Sequence, residues 1–235
     1  MRKSWSIKQP LFVSSKKRKT THVEEPEIEN ILSMLGGGQN NEGPSLKPGL
    51  GDDADTKLYV RENHIYFQDD INFDTASALI KEINDLANEL KFIQMQYKFP
   101  EPPSIVLHIT SPGGAVFAAY SIIDCMERCK VPVHTMVDGF SASCGTLISI
   151  HGKKRMMGKN ACMLIHQLSS GMWGHYTEAE QQDHHENVNQ MSDRIRQFYK
   201  DKTNMSNKQL KELLKHDLDW DADECLRRGL IDEII

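Results

Sequence analysis

From Lys57 onward, compact apolar runs alternate with longer stretches whose apolar residues recur about every 3.6 positions. The runs KLYV, HIYF, SIVLHI, VPVHTMV and ACMLI are too short for helices and read as strands. FDTASALIKEINDLANELKFIQ, with Asp74 placed as its N-cap, reads as a helix, as do AAYSIIDCMERC and SCGTLISI. The polar stretch YTEAEQQDHHENVNQMSDRIRQFYKDKT reads as one long helix. SNKQLKELLK and DADECLRRG follow, the latter stopped by Gly229. Strands that alternate with helices are joined by crossovers, so the predicted class is α/β, with repeated β-α-β units and a largely parallel sheet.

Residues 1–55 break this pattern. A basic start containing KKRK (16–19) gives way to EEPEIEN and then to LGGGQNNEGPSLKPGLGDDAD. Such a composition buries too little apolar surface to offset its ordering entropy. The expected organisation is a flexible, low-complexity extension over 1–55 and one catalytic-sized domain over 56–235. The KKRK run reads as a solvated charge run. No acidic residue precedes Glu24, the pattern of a mitochondrial transit peptide.

Composition narrows the function classes. A net charge of −5 argues against a general nucleic-acid binder. No apolar run approaches a membrane span, and the N-terminus lacks a secretory apolar core. The five cysteines form no CxxC pair and read as thiols of a reducing compartment. The expected location is cytoplasmic, with an organelle matrix as the alternative if the basic N-terminus is a transit peptide.

Three junctions carry candidate chemistry. SPGGA (111–115) joins a strand to a helix, and its glycines let backbone N–H groups point into open space. Such a turn can hold an oxyanion. DGFSASCG (138–145) joins the next strand to a helix and crowds Ser141, Ser143 and Cys144 among small neighbours. One hydroxyl suffices as a cap, and Ser143-x-Gly145 half-resembles a nucleophile elbow. His166 follows ACMLI at a strand C-terminus, where open α/β sheets place ligands. Hydroxyl nucleophile, imidazole base and amide donors therefore converge on one sheet edge. Asp217 and Asp219 are the candidates for an orienting carboxylate. Asp221 and Asp223 read as the cap and first-turn acid of the last helix.

Together SPGG, GFSASCG (139–145), MLIHQ (163–167) and GLID (229–232) resemble, in order and spacing, the proteolytic subunits of the Clp protease (ClpP) family. The resemblance covers roughly residues 57–235. It implies a ClpP/crotonase-like fold with a long handle helix and a Ser-His-Asp serine endopeptidase. It places the nucleophile on Ser143, the base on His166 and the acid on Asp217, with Asp219 as a rival. The N–H groups of Gly114 and Cys144 become the oxyanion donors. Ser170, Gly171, Met172 and Trp173 fall in a strand that pairs with substrate backbone. Leu168 stands where many members have proline. The resemblance implies two stacked heptameric rings enclosing the sites. Unfolded polypeptides are then delivered by an AAA+ unfoldase of the ClpX or ClpA/ClpC type, with no cofactor or metal in the chain itself. His184 and His185 beside Asp183 and Glu186 read as a wet ring–ring contact. Two alternatives remain. One is a catalytically silent ring scaffold in a mixed assembly. The other is a crotonase-type acyl-CoA enzyme, which has no need of a paired Ser and His.

Overall fold

The computed structural model describes residues 57–171 and 175–235, and the extension read over 1–55 lies outside them. Within the described residues, eight strands form one sheet. β1 (Leu58–Arg61) and β2 (His64–Phe67) form an antiparallel hairpin. β2, β3 (Ile105–Ser111) and β4 (Val133–Ala142) then run parallel. The crossovers are helices α1 (Phe73–Tyr97) and α2 (Val116–Arg128), so the expected β-α-β units are present.

Alternation along β3 buries Ile105, Leu107, Ile109 and Ser111 and leaves Val106, His108 and Thr110 half-buried. On α1 the residues Ala76, Leu79, Ile83, Leu86 and Leu90 recur at helical spacing and share the core with that strand face. Each fully buried leucine or isoleucine contributes about 1.5–3 kcal/mol of transfer free energy. The cap of α1 differs from expectation. Asn72, not Asp74, accepts from the N–H groups of Asp74 and Thr75, and Thr75 Oγ1 accepts in return from Asn72 N–H. Asn72 is extended (φ −134°), whereas Asp74 already lies inside the first turn.

The feature that positions the site is the length of β4. Its first half, Thr135–Val137, pairs with β5 (Arg155–Met157), and its second half, Phe140–Ala142, pairs with β6 (Cys162–Ile165). Between the halves lies Gly139 at φ 66°. Against β3 the register steps from Ile109↔Val137 to Ser111↔Ser141, a bulge at which Thr110 Oγ1 donates to Asp138 O at 2.7 Å. Asp138-Gly139, expected as a turn into a helix, is thus an irregularity within one strand.

Beyond β6 come α4 (Glu178–Lys202) and α5 (Asn207–Leu213), with α3 (Cys144–Ser149) having preceded β5. β7 (Leu218–Asp221) returns antiparallel on β6. α6 (Ala222–Arg228) is capped by Asp221 and closed by Gly229 at φ 74°, as expected. β8 (Glu233–Ile234) adds to β5. The long helix was expected over 176–202, and only Ile195 and Tyr199 on it are buried. No helix among the described residues is long and apolar enough to cross a membrane.

Candidate active site

Ser143 is the residue where β4 gives way to α3, and its backbone is unusual, with φ 54° and ψ −121°. A non-glycine residue in such a region costs about 1–3 kcal/mol and persists where its surroundings hold it. Both sides of the residue are held. Ser143 N–H donates to Leu164 O at 2.9 Å, and Ser143 O accepts from Thr146 N–H at 3.1 Å and Thr146 Oγ1 at 2.7 Å. Ser143 stands at the N-cap position of α3, yet its side chain makes no capping hydrogen bond. A serine hydroxyl at a helix start ordinarily caps; this one does not.

Ser141 has the opposite fate. It is fully buried, and its Oγ has no partner among the described residues. A Cβ added to Gly145 would meet that oxygen at 2.7 Å, so a glycine is needed above it. Cys144 is also buried, and its Sγ donates to Gly114 O at 3.2 Å. Burial pushes the Cys144 thiol pKa up, with hydrogen bonds to the Gly114 carbonyl and the Ser143 side chain opposing. A thiol held protonated is a poor nucleophile.

The SPGG turn packs against the same residues. Gly113 has φ 94°, and a Cβ there would lie 2.6 Å from Ser143 Cβ and 2.8 Å from Ala142 O. Gly114, at φ 148°, forms a parallel bridge with Ile71. The bridge is made by Ile71 N–H to Gly113 O at 2.8 Å and Ala115 N–H to Ile71 O at 2.7 Å. In extended backbone this turns the Gly114 amide to the opposite edge, toward the Ser143 turn.

Gly114, Ser143, Cys144 and His166 line one cleft of about 480 Å³. Leu168, Ser170 and, from α4, Met191, Ile195 and Tyr199 are also among the residues that line it. His166 is the first residue after β6 and is half-buried. No hydrogen bond among the described residues joins its ring to Ser143 or to Asp217. Asp217 is exposed and immediately precedes β7. The β6–β7 ladder pairs Leu164 with Asp219 and ends with Ile165 opposite Leu218, so His166 and Asp217 each lie one residue beyond its last pair. Ser170 and Gly171 are exposed in irregular backbone, and residues 169–171 form no strand. Ser170 Oγ lies 3.2 Å from His184 Nε2 of α4. Met172 and Trp173 lie outside the described residues.

Two site residues gave no signal in the sequence. Thr146 grips the Ser143 carbonyl, and Tyr199 reaches Thr146 from α4, at 2.5 Å between oxygens. They are far apart in the chain, and their pairing follows no local pattern.

Comparison with known proteins shows the family. A family model described as Clp protease matches residues 53–235. Among curated proteins, the chain is similar to an ATP-dependent Clp protease proteolytic subunit of Streptococcus mutans serotype c. The two are 34% identical over 154 residues, which cover 65% of this chain and 77% of that protein.

Proposed function

The chain belongs to the Clp protease family, and from that premise we propose that it is a serine endopeptidase with Ser143 as nucleophile, His166 as base and Asp217 as orienting acid. Ser143 Oγ attacks the carbonyl carbon of a peptide bond while an imidazole nitrogen of His166 takes the hydroxyl proton. The carbonyl oxygen gains negative charge and is met by the N–H groups of Gly114 and Cys144. Collapse breaks the C–N bond, and His166 returns the proton to the leaving amine. Water, deprotonated by the same imidazole, then hydrolyses the acyl ester and regenerates Ser143.

The observation that carries this reading is the state of Ser143. Its backbone is held at φ 54°, its hydroxyl is withheld from capping, and His166 lines the cleft beside it. A structural serine at a helix start has no reason to hold that conformation.

The substrate class is unfolded polypeptide, bound extended beside residues 170–173. The assembly is two stacked heptameric rings fed by an AAA+ unfoldase. The first half of α4 supports that assembly, since it buries no residue within one chain and is available to a neighbouring copy.

The test is the Ser143→Ala variant, measured on a fluorogenic peptide and by native mass spectrometry. Hydrolysis and labelling by a fluorophosphonate are both lost while the assembly keeps its mass. Undiminished hydrolysis in that variant overturns the reading.

A further inference from the structure

We propose that Tyr199 and Thr146 are positioning residues that aim and polarise the Cys144 amide toward the oxyanion, through the Ser143 carbonyl. The inference rests on the serine-peptidase reading of Ser143 and names two groups that act on that site through the Ser143 carbonyl.

The hydrogen bonds run in one direction. Thr146 Oγ1 donates its single proton to Ser143 O at 2.7 Å. The 2.5 Å contact between Thr146 Oγ1 and Tyr199 OH is therefore donated by the phenol. The order is Tyr199 O–H to Thr146 Oγ1–H to Ser143 C=O. Burial pushes the Tyr199 pKa well above the usual phenol range, so it stays a donor at any working pH.

The last acceptor gives the chain its consequence. Ser143 C=O and Cys144 N–H belong to one peptide unit, and no peptide bond among the described residues is cis. In a planar trans unit the N–H points opposite to the C=O. A hydroxyl that holds the carbonyl toward α3 therefore turns the amide toward the cleft. Donation to the carbonyl also polarises the amide, because linked hydrogen bonds strengthen one another.

Packing alone does not call for these oxygens. Thr146 and Tyr199 are 0% and 2% exposed. An apolar pair of similar shape fills such a gap without the desolvation that two buried hydroxyls require. Tyr199 is also one of two buried residues on α4, so the helix reaches the nucleophile turn at this point.

The experiment compares Tyr199→Phe, Thr146→Val, Thr146→Ser and the Tyr199→Phe/Thr146→Val double variant. Activity on a fluorogenic peptide is expressed per fluorophosphonate-reactive site. Tyr199→Phe and Thr146→Val lower kcat by about tenfold with KM unchanged, and a peptide boronate binds more weakly by the same factor. Thr146→Ser keeps the hydroxyl and stays within about twofold of the parent. The double variant is no worse than Thr146→Val alone, because the two groups act in series. Wild-type kcat in Tyr199→Phe overturns the inference, as does a double variant whose loss is the product of the single losses. Ser143→Ala run in parallel separates the two levels. If it hydrolyses peptide, the serine-peptidase reading fails. If it is inactive while Tyr199→Phe is fully active, the positioning role alone fails.

Discussion

His166 and Asp217 each stand one residue beyond the end of the antiparallel β6–β7 ladder, whose last pair is Ile165 opposite Leu218. Directly opposite residues share a sheet face with Cβ atoms about 4.5–5.5 Å apart, and diagonal neighbours stand about 7–8 Å apart. Asp219 is paired with Leu164 and so is diagonal to His166. Carried one residue past the ladder, this register would set Asp217 opposite His166 and Asp219 diagonal to it, and kinetics of the two variants test that difference.

The expected result is that Asp217→Asn lowers kcat on a fluorogenic peptide by about 10²–10⁴-fold, as loss of an orienting carboxylate does. Asp219→Asn stays within about threefold of the parent. Steady-state kinetics of the two variants decide the matter, and the reverse order would move the acid to Asp219.

A second prediction concerns the contact between the SPGG turn and the nucleophile. Gly113→Ala combines φ 94° with a Cβ 2.6 Å from Ser143 Cβ, against neighbours that are backbone or a short side chain. Such a residue cannot be accommodated without moving Ser143, so both stability and kcat fall, stability by about 2–4 kcal/mol. Gly139→Ala is the control. It also has positive φ, 66°, but nothing lies within 4 Å of its added Cβ. It loses about 1–2 kcal/mol and keeps a near-normal kcat per labelled site. Thermal midpoints and active-site titration measure both, and equal effects at the two glycines would contradict the packing.

Much of this was legible because the crossover units repeat a pattern that periodicity reveals, and because two junctions of small residues and one histidine mark strand C-termini. β5, β7 and β8 were not legible. RMM, LDWD and EI are short, and LDWD contains two aspartates, which disfavour strands. Their pairing comes from neighbours in space. The run of β4 through Asp138-Gly139 was hidden because a glycine reads as a turn, whereas here it relieves a bulge. Asn72 displaced Asp74 as cap because Thr75 completes a reciprocal box with it. The Ser143 conformation and the Tyr199–Thr146 contact depend on tertiary packing that no local signal reports.

Thiol chemistry gives a third prediction. Cys225 is fully buried, and desolvation pushes its pKa to about 12. Cys125 and Cys144 are also buried with raised pKa values, in each case chiefly through burial. The thiolate is the reactive form, so these three resist iodoacetamide at pH 8 while the protein is folded. Cys129 is half-buried and reacts first. Peptide mapping by mass spectrometry follows the order, and early modification of Cys225 would contradict the burial.

The last prediction follows acid stability through Arg155. Its guanidinium Nη1 donates to Lys202 O at 2.6 Å and Gly229 O at 2.8 Å, tying β5 to the ends of α4 and α6. Nε and Nη2 donate to the two carboxylate oxygens of Asp232, at 3.0 and 2.5 Å. The Arg155 hydrogen bonds hold the Asp232 pKa below the usual carboxylate range, against a smaller opposing effect of burial. A carboxylate whose folded pKa lies below its unfolded value of about 3.9 stabilises the fold while both states are ionised. That contribution is present at neutral pH and is lost as pH falls through the lower, folded pKa. The stability gap between the parent and Asp232→Asn is therefore widest near neutrality and narrows below about pH 4. Arg155→Lys weakens the protein at neutral pH as well, because one ammonium cannot reach two carbonyls and a bidentate carboxylate together. Urea midpoints from pH 7 down to pH 2 measure the gap, and a gap that widens toward acid would show that Arg155 does not hold the Asp232 carboxylate.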